Sequence, residues 1–270
     1  MSNYDPNAYT QYGAGVARAD QAALDQGLRS YMLGIYNHMV LGLAITGLIA
    51  IGVAMLSLTG DAGSAARNAA GAAIRLGGES RYLTPFGALL FLSPLKWVIM
   101  LAPLAFILVL SWRFERMSYT AVLGTFWAFA GVMGLSMGSI FLIYKLGSIG
   151  QVFFITAAAF GSLSLFGYTT KKDLSGMGKF LMMGLFGLII ASIVGIFVQS
   201  TALQFAINVI GVLIFAGLTA YDTQRLKEEY YYVAGDAAMA AKASVSGALS
   251  LYLNFINMFQ MLLSLFGSRE

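Results

Sequence analysis

The sequence predicts an all-α, polytopic membrane protein with seven transmembrane helices. Three observations carry that prediction. The chain is 59% hydrophobic and only 10% charged, with a mean hydropathy of +0.76, against roughly half apolar and a quarter charged in soluble domains. Its apolar residues fall in continuous runs of about 20 or more rather than in alternation. Its basic residues gather in the connections between those runs. In hydrocarbon every backbone N–H and C=O must be satisfied within the segment, so such runs are helices.

Residues 1–30 read as a polar tail of mixed charge, without the basic start and apolar core of a cleavable signal. The transmembrane domain covers 31–267, with spans expected at about 31–58, 86–111, 118–143, 149–168, 177–198, 202–221 and 245–266. The first run is long enough for about 30 Å of hydrocarbon at about 1.5 Å per residue. A Gly-, Ala- and Ser-rich loop follows it, in which Gly71 to Leu76 is expected as a short interfacial helix. The second span holds Lys96 and Pro103 and so starts late or kinks. Only Lys145 and two glycines divide the third span from the fourth. Six spans with a re-entrant last segment is the rival division. With the amino terminus inside, ten of the 16 Lys and Arg fall on the cytoplasmic side and six on the other. Three of those six lie in the long first loop, where the charge rule is weaker. A cytoplasmic amino terminus is therefore expected.

Several chemistries are set aside on residue types. With no Cys there is no disulfide framework, thiol nucleophile or thiolate metal site. A single His forbids a His-Glu-x-x-His zinc motif. Basic residues are not clustered with aromatics as a nucleic-acid surface requires. The last span has no lysine for a retinal Schiff base, and no tightly bound cofactor is called for. The expectation is a protein that is not an enzyme.

Ionisable groups at membrane depth mark candidate sites, because an Asp at mid-span costs about 2.5–3.5 kcal/mol. Asp222 closes the sixth span within Ala216-Gly217-Leu218-Thr219-Ala220-Tyr221-Asp222-Thr223-Gln224-Arg225. It is read either as a functional carboxylate or as an interfacial one paired with Arg225 or Lys227. In the last span Ser246, Ser250, Asn254, Asn257 and Ser264 project within about 80° of one another at about 100° per residue. Such a stripe should face other helices or a wet path, not lipid. Interhelical hydrogen bonding explains the serines equally well, whereas Asn254 and Asn257 together point toward function. His38, in the first span, is read as a packing residue with a possible supporting role rather than a metal ligand. Gly134, Gly138, Gly161, Gly184, Gly187 and Gly195 fit close helix approach.

Four segments resemble the Bax inhibitor-1 family, which includes the YccA-like and transmembrane Bax-inhibitor-motif proteins. They are Phe160-Gly161-Ser162-Leu163-Ser164-Leu165-Phe166-Gly167-Tyr168-Thr169-Thr170-Lys171-Lys172-Asp173-Leu174, Gly134-Leu135-Ser136-Met137-Gly138-Ser139-Ile140-Phe141, Phe215 to Gln224, and Gly247 to Asn257. The resemblance covers about residues 28 to 267. It implies a seventh helix surrounded by the other six and a pH-sensitive calcium leak across a membrane. It further implies a hydrogen-bonded aspartate pair, one ending the sixth span and one in the seventh, as the pH sensor. Asp222 matches the first, but Asn254 stands where the second is expected. An amide keeps a hydrogen bond but does not titrate, so a shallower pH response is expected than from a coupled carboxylate pair. Calcium prefers several oxygen ligands, and Asp222 with one amide would hold it weakly and transiently. The second reading is a regulatory membrane protein acting through helix contacts on a membrane protease or another complex. A bacterial plasma (inner) membrane is the expected location.

Overall fold

The computed structural model describes residues 6–76, 81–113 and 116–269, with side chains from 24 onward apart from 109–111. Residues 1–5 of the polar tail and Glu79 of the first loop lie outside the described residues. Among the described residues the fold is all-α apart from one two-stranded antiparallel pairing and three isolated antiparallel bridges. The helices are α1 (Pro6–Ser57), α2 (Pro85–Phe91), α3 (Leu95–Arg113), α4 (Tyr119–Met137), α5 (Ile140–Ile143), α6 (Leu146–Thr169), α7 (Ser175–Val198), α8 (Thr201–Val233) and α9 (Ala237–Phe266). Strands β1 (Leu58–Thr59) and β2 (Tyr82–Leu83) close the first loop.

Among the described residues, six helical segments are long and apolar enough to cross a bilayer. The count becomes seven if α2 and α3, bent by 58° at a short break, form one broken span. The break falls at Leu92–Pro94, whereas Pro103 lies inside α3. Pro94 lacks an N–H and disfavours helix at Ser93. The Ser93 hydroxyl donates back to Leu89 O (2.5 Å) and accepts from the Leu95 N–H (3.1 Å), which ends one helix and starts the next.

The first loop corrects another expectation. Gly71 to Leu76 is not helical. The Asn68 side chain accepts from the N–H groups of Ala70 and Ala72, both at 3.0 Å, and Gly71 takes a φ of +80°. That turn sends the chain back on itself, where Ile74 N bonds Ala66 O and Leu83 N bonds Ile74 O, both at 2.9 Å. A positive φ suits glycine and interrupts a helix.

Three helices outrun their apolar stretches: α1 already begins at Pro6, within the segment expected as a polar tail, well before the apolar run expected from 31. The sixth span is expected to stop at 221, yet α8 continues to Val233; α9 begins at Ala237, eight residues before the apolar run expected from 245. Hydropathy locates the membrane-embedded part of a helix, not its ends. Asp236 caps the start of α9 by accepting from Ala238 N (2.9 Å) and Met239 N (3.0 Å).

Helix α9 packs against α8, α1, α6 and α4, while α3 lies chiefly on α4 and α7 on α8. Leu251, Tyr252, Asn254, Phe255, Ile256, Met258 and Phe259 are all buried, whereas Leu253 and Asn257 are half-buried and Gln260 is exposed, so most of the circumference of α9 is covered at that depth and one stripe is not. In contrast, α7 buries only Gly178, Leu181 and Leu188 and turns Phe180, Met183, Phe186 and Ile190 outward. Such exposed apolar faces fit a lipid surround. The expected glycine contacts divide. A Cβ on Gly134 or Gly138 would press on Thr46, Ile49 and Val53 of α1, whereas Gly161 and Gly187 face open space.

Candidate functional site

Asp222 and Asn254 meet where α8 crosses α9. The Asn254 amide Nδ2 donates to Asp222 Oδ2 at 2.8 Å. The other carboxylate oxygen, Oδ1, receives the Arg225 guanidinium at 3.0 Å from one turn further along α8. The Asp222 side chain is 14% exposed and Asn254 is 5% exposed, while the Arg225 side chain remains 45% exposed. A nearly buried carboxylate therefore has one oxygen tied across the helix pair and the other tied within its own helix. The pairing with Arg225 expected of an interfacial carboxylate is present, and Asp222 also contacts the last helix. Lys227 takes a different partner, donating to Tyr168 O at 3.0 Å.

The remaining residues of the polar stripe disperse. Asn257 donates to the carbonyl of Leu253 on its own helix (2.8 Å) and stays apart from Asp222. Ser264 accepts from Asn208 Nδ2 at 2.7 Å, making a second polar contact between α9 and α8. Ser250 is half-buried and outside the Asp222 contact. His38 makes no hydrogen bond with Asp222, and its Nδ1 is buried without a partner. Among the described residues no three of His, Cys, Asp and Glu converge on a common point.

A second layer adjoins Asp222. Thr223 is fully buried; its hydroxyl donates to Thr219 O (2.8 Å) and contacts the Ser164 hydroxyl of α6 at 3.0 Å. Ser164 in turn contacts Tyr36 OH of α1 at 2.5 Å. This chain of hydroxyls joins α1, α6 and α8 beside the carboxylate. The signal for it was faint, because Ser and Thr inside apolar runs are common and only the fold shows that these share one level.

Residues 28–270 match the family described as "Inhibitor of apoptosis-promoting Bax1". The chain belongs to the Bax inhibitor-1 family. An uncharacterised protein of Caulobacter vibrioides is 46% identical over 96% of this chain and 98% of its own. The protein RP147 of Rickettsia prowazekii is 39% identical over 91% and 92%. The inner membrane protein YbhL of Escherichia coli K12 is 45% identical over 60% of this chain and 70% of its own.

In this Bax inhibitor-1 protein three of the four segments that carried the resemblance meet in space, with Phe160–Leu174 and Gly247–Asn257 each touching Phe215–Gln224. Gly167 lies so close to α8 that a Cβ there would stand 2.9 Å from the carbonyl carbon and Cα of Ala220, and nearer still to its oxygen. The backbone has no flexible end to yield, so the close approach requires glycine. Two residues past Asp222, the Gln224 side chain holds the α6–α7 connection from both sides. Its Oε1 accepts from Leu174 N (2.8 Å) and its Nε2 donates to Lys172 O (2.9 Å). Lys227 adds its bond to Tyr168 O and stands 5.1 Å from the Tyr168 ring centroid. The Phe160–Leu174 segment and the Ala220–Lys227 segment thus form one contact surface that sets the position of Asp222.

Proposed function

We propose that this chain is a passive cation leak, with calcium as its permeant ion, held shut where Asp222 of α8 meets Asn254 of α9. The observation that carries the reading is the engagement of both Asp222 oxygens, one by Asn254 across the helices and one by Arg225. A cation arriving at Asp222 must displace at least one of those donors. Because a lone carboxylate and an amide oxygen make a poor cage for a hard divalent ion, its stay there is weak and transient, as passage requires. A helix packed against α1, α4, α6 and α8 is a fit element for a gate. The protein acts without a catalytic centre.

The same contact gives the direction of the pH response. An amide donor binds an ionised carboxylate more strongly than a protonated one. Protonating Asp222 loosens the contact, so acidification raises the leak. The inner-membrane relative of E. coli supports placement in a bacterial inner membrane, and the distribution of Lys and Arg supports a cytoplasmic amino terminus.

Calcium entry into proteoliposomes loaded with a fluorescent indicator, from pH 5 to 8, tests the proposal. Flux above that of empty liposomes, altered by Asp222→Ala, is the expected result. Folded protein that passes no calcium in any variant would remove the leak reading and leave a regulator that works through contacts with a membrane protease or another complex.

A further inference from the structure

Helices α1 and α6 form one wall of the bundle with a gap between them. Tyr36 pairs with Ser164, whereas Leu43 and Ile51 of α1 share a cavity with Leu146 and Phe153 of α6. The two helices therefore run antiparallel. Beside the Tyr36–Ser164 link lies a groove of about 1010 Å³, at the upper end of the roughly 300–1,000 Å³ of small-molecule sites. Its floor includes Phe255 of α9, packed edge-on against Phe153 and Phe160 with centroids 5.5 and 5.6 Å away. Gly47 and Gly161 line it from the two helices, and a Cβ on either would meet nothing within 4 Å. From Arg29 to Ile51 its α1 wall covers about 33 Å at about 1.5 Å per residue, close to the thickness of the hydrocarbon core.

One end of this apolar groove is basic. Arg29 lines it and is exposed, and neither Asp25, one turn away, nor any other described carboxylate pairs with it. Tyr168, at the same end, is the aromatic type found at headgroup level, and Lys227 holds its ammonium over that ring. No carboxylate lines the groove. We propose that the groove between α1 and α6 is a binding site for one anionic phospholipid, its phosphate at Arg29 and an acyl chain running past Gly161 toward Phe153. The Arg29 guanidinium, paired with no carboxylate among the described residues, selects the headgroup, and the dry wall, continuous with the exposed apolar faces of both helices, accepts the chain. Soluble glycerol phosphate lacks that chain and does not compete.

Native mass spectrometry of the full chain in detergent tests this with phosphatidylglycerol and phosphatidylcholine of identical acyl composition. The wild type should hold phosphatidylglycerol about fivefold more tightly, the effect of roughly one surface cation on an anionic headgroup. Arg29→Gln should remove that preference and leave phosphatidylcholine binding unchanged. Gly161→Phe should reduce occupancy by both lipids, because its ring fills open space, while thermal melting shows the fold intact; Gly47→Leu fills the opposite wall and should do the same. Equal binding of the two lipids by the wild type would overturn the proposal. So would a preference that survives Arg29→Gln, or competition by glycerol phosphate. As the chain has no cysteine, a photocrosslinker on Gly161→Cys in native membranes reports the occupant directly. Capture of phosphatidylglycerol is expected, and capture of another protein's helix would overturn the assignment.

Discussion

Replacing Asn254 with Ala removes one donor from Asp222 and leaves everything else in place. The lost bond is 2.8 Å long, and its acceptor belongs to a side chain only 14% exposed. A hydrogen bond to a charged group contributes about 1.5–3 kcal/mol. Little of that is recovered from solvent, because the Asn254 site is 5% exposed. Arg225 cannot compensate, since an ion pair with a 45% exposed guanidinium contributes about 1 kcal/mol at most. If the contact holds the closed state, its loss shifts the closed-to-open ratio by roughly ten- to 150-fold, at about 1.4 kcal/mol per factor of ten. The assay is the initial rate of calcium entry at pH 7.5, with circular dichroism confirming the helix content of the variant. A rate within about twofold of the wild type, from folded protein in liposomes that pass calcium, would refute the assignment of the gate to this contact.

Asn254→Asp should reverse the sign of the pH response. Two carboxylates at hydrogen-bond distance share a proton in acid and repel when both ionise, so this variant should leak more as pH rises, whereas the wild type leaks more as it falls; parallel slopes would count against the mechanism. Gly167→Val should lower the melting temperature in detergent, because its side chain meets the Ala220 backbone and overpacking of this kind costs about 1–3 kcal/mol; an unchanged melt would show that α6 and α8 separate freely. Gln224→Ala should speed hydrogen exchange at the Leu174 amide, whose acceptor it removes, and unaltered exchange would mean that the loop is held by other contacts. In the same loop, the Ser175 backbone N–H, followed by its side chain, holds the Asp173 carboxyl below the usual carboxylate range. The Asp173 contact with the Ser175 N–H is therefore complete above the unfolded carboxylate value of about 3.9 and is lost only as pH falls through the lower folded one. Asp173→Asn should leave the pH profile of flux between 5 and 8 unchanged, and a displaced profile would show that this loop takes part in pH sensing.

The sequence by itself determined the solvent and the class of fold. Uninterrupted apolar runs leave helices as the way to satisfy the backbone in lipid, so span positions follow from hydropathy to within a few residues at α6 and α7. Asp222 was legible for the same reason, because a carboxylate at the end of an apolar run is costly unless it is used. The family was legible from contiguous motifs. Helix ends in water were not legible: the segment from Asp222 to Val233 loses its apolar character and yet stays helical. Nor was the bend at Pro94, which depends on a Ser93 side chain serving two helices. Periodicity placed five polar side chains on one face of the last helix but could not say which would find a partner. The crossing of α8 and α9 decided that, giving Asn254 a carboxylate, Ser264 the amide of Asn208, and Asn257 only its own backbone. A helix face fixes direction within a few tens of degrees, whereas a hydrogen bond needs a partner at about 3 Å. Only the packing of one helix on another supplies that distance.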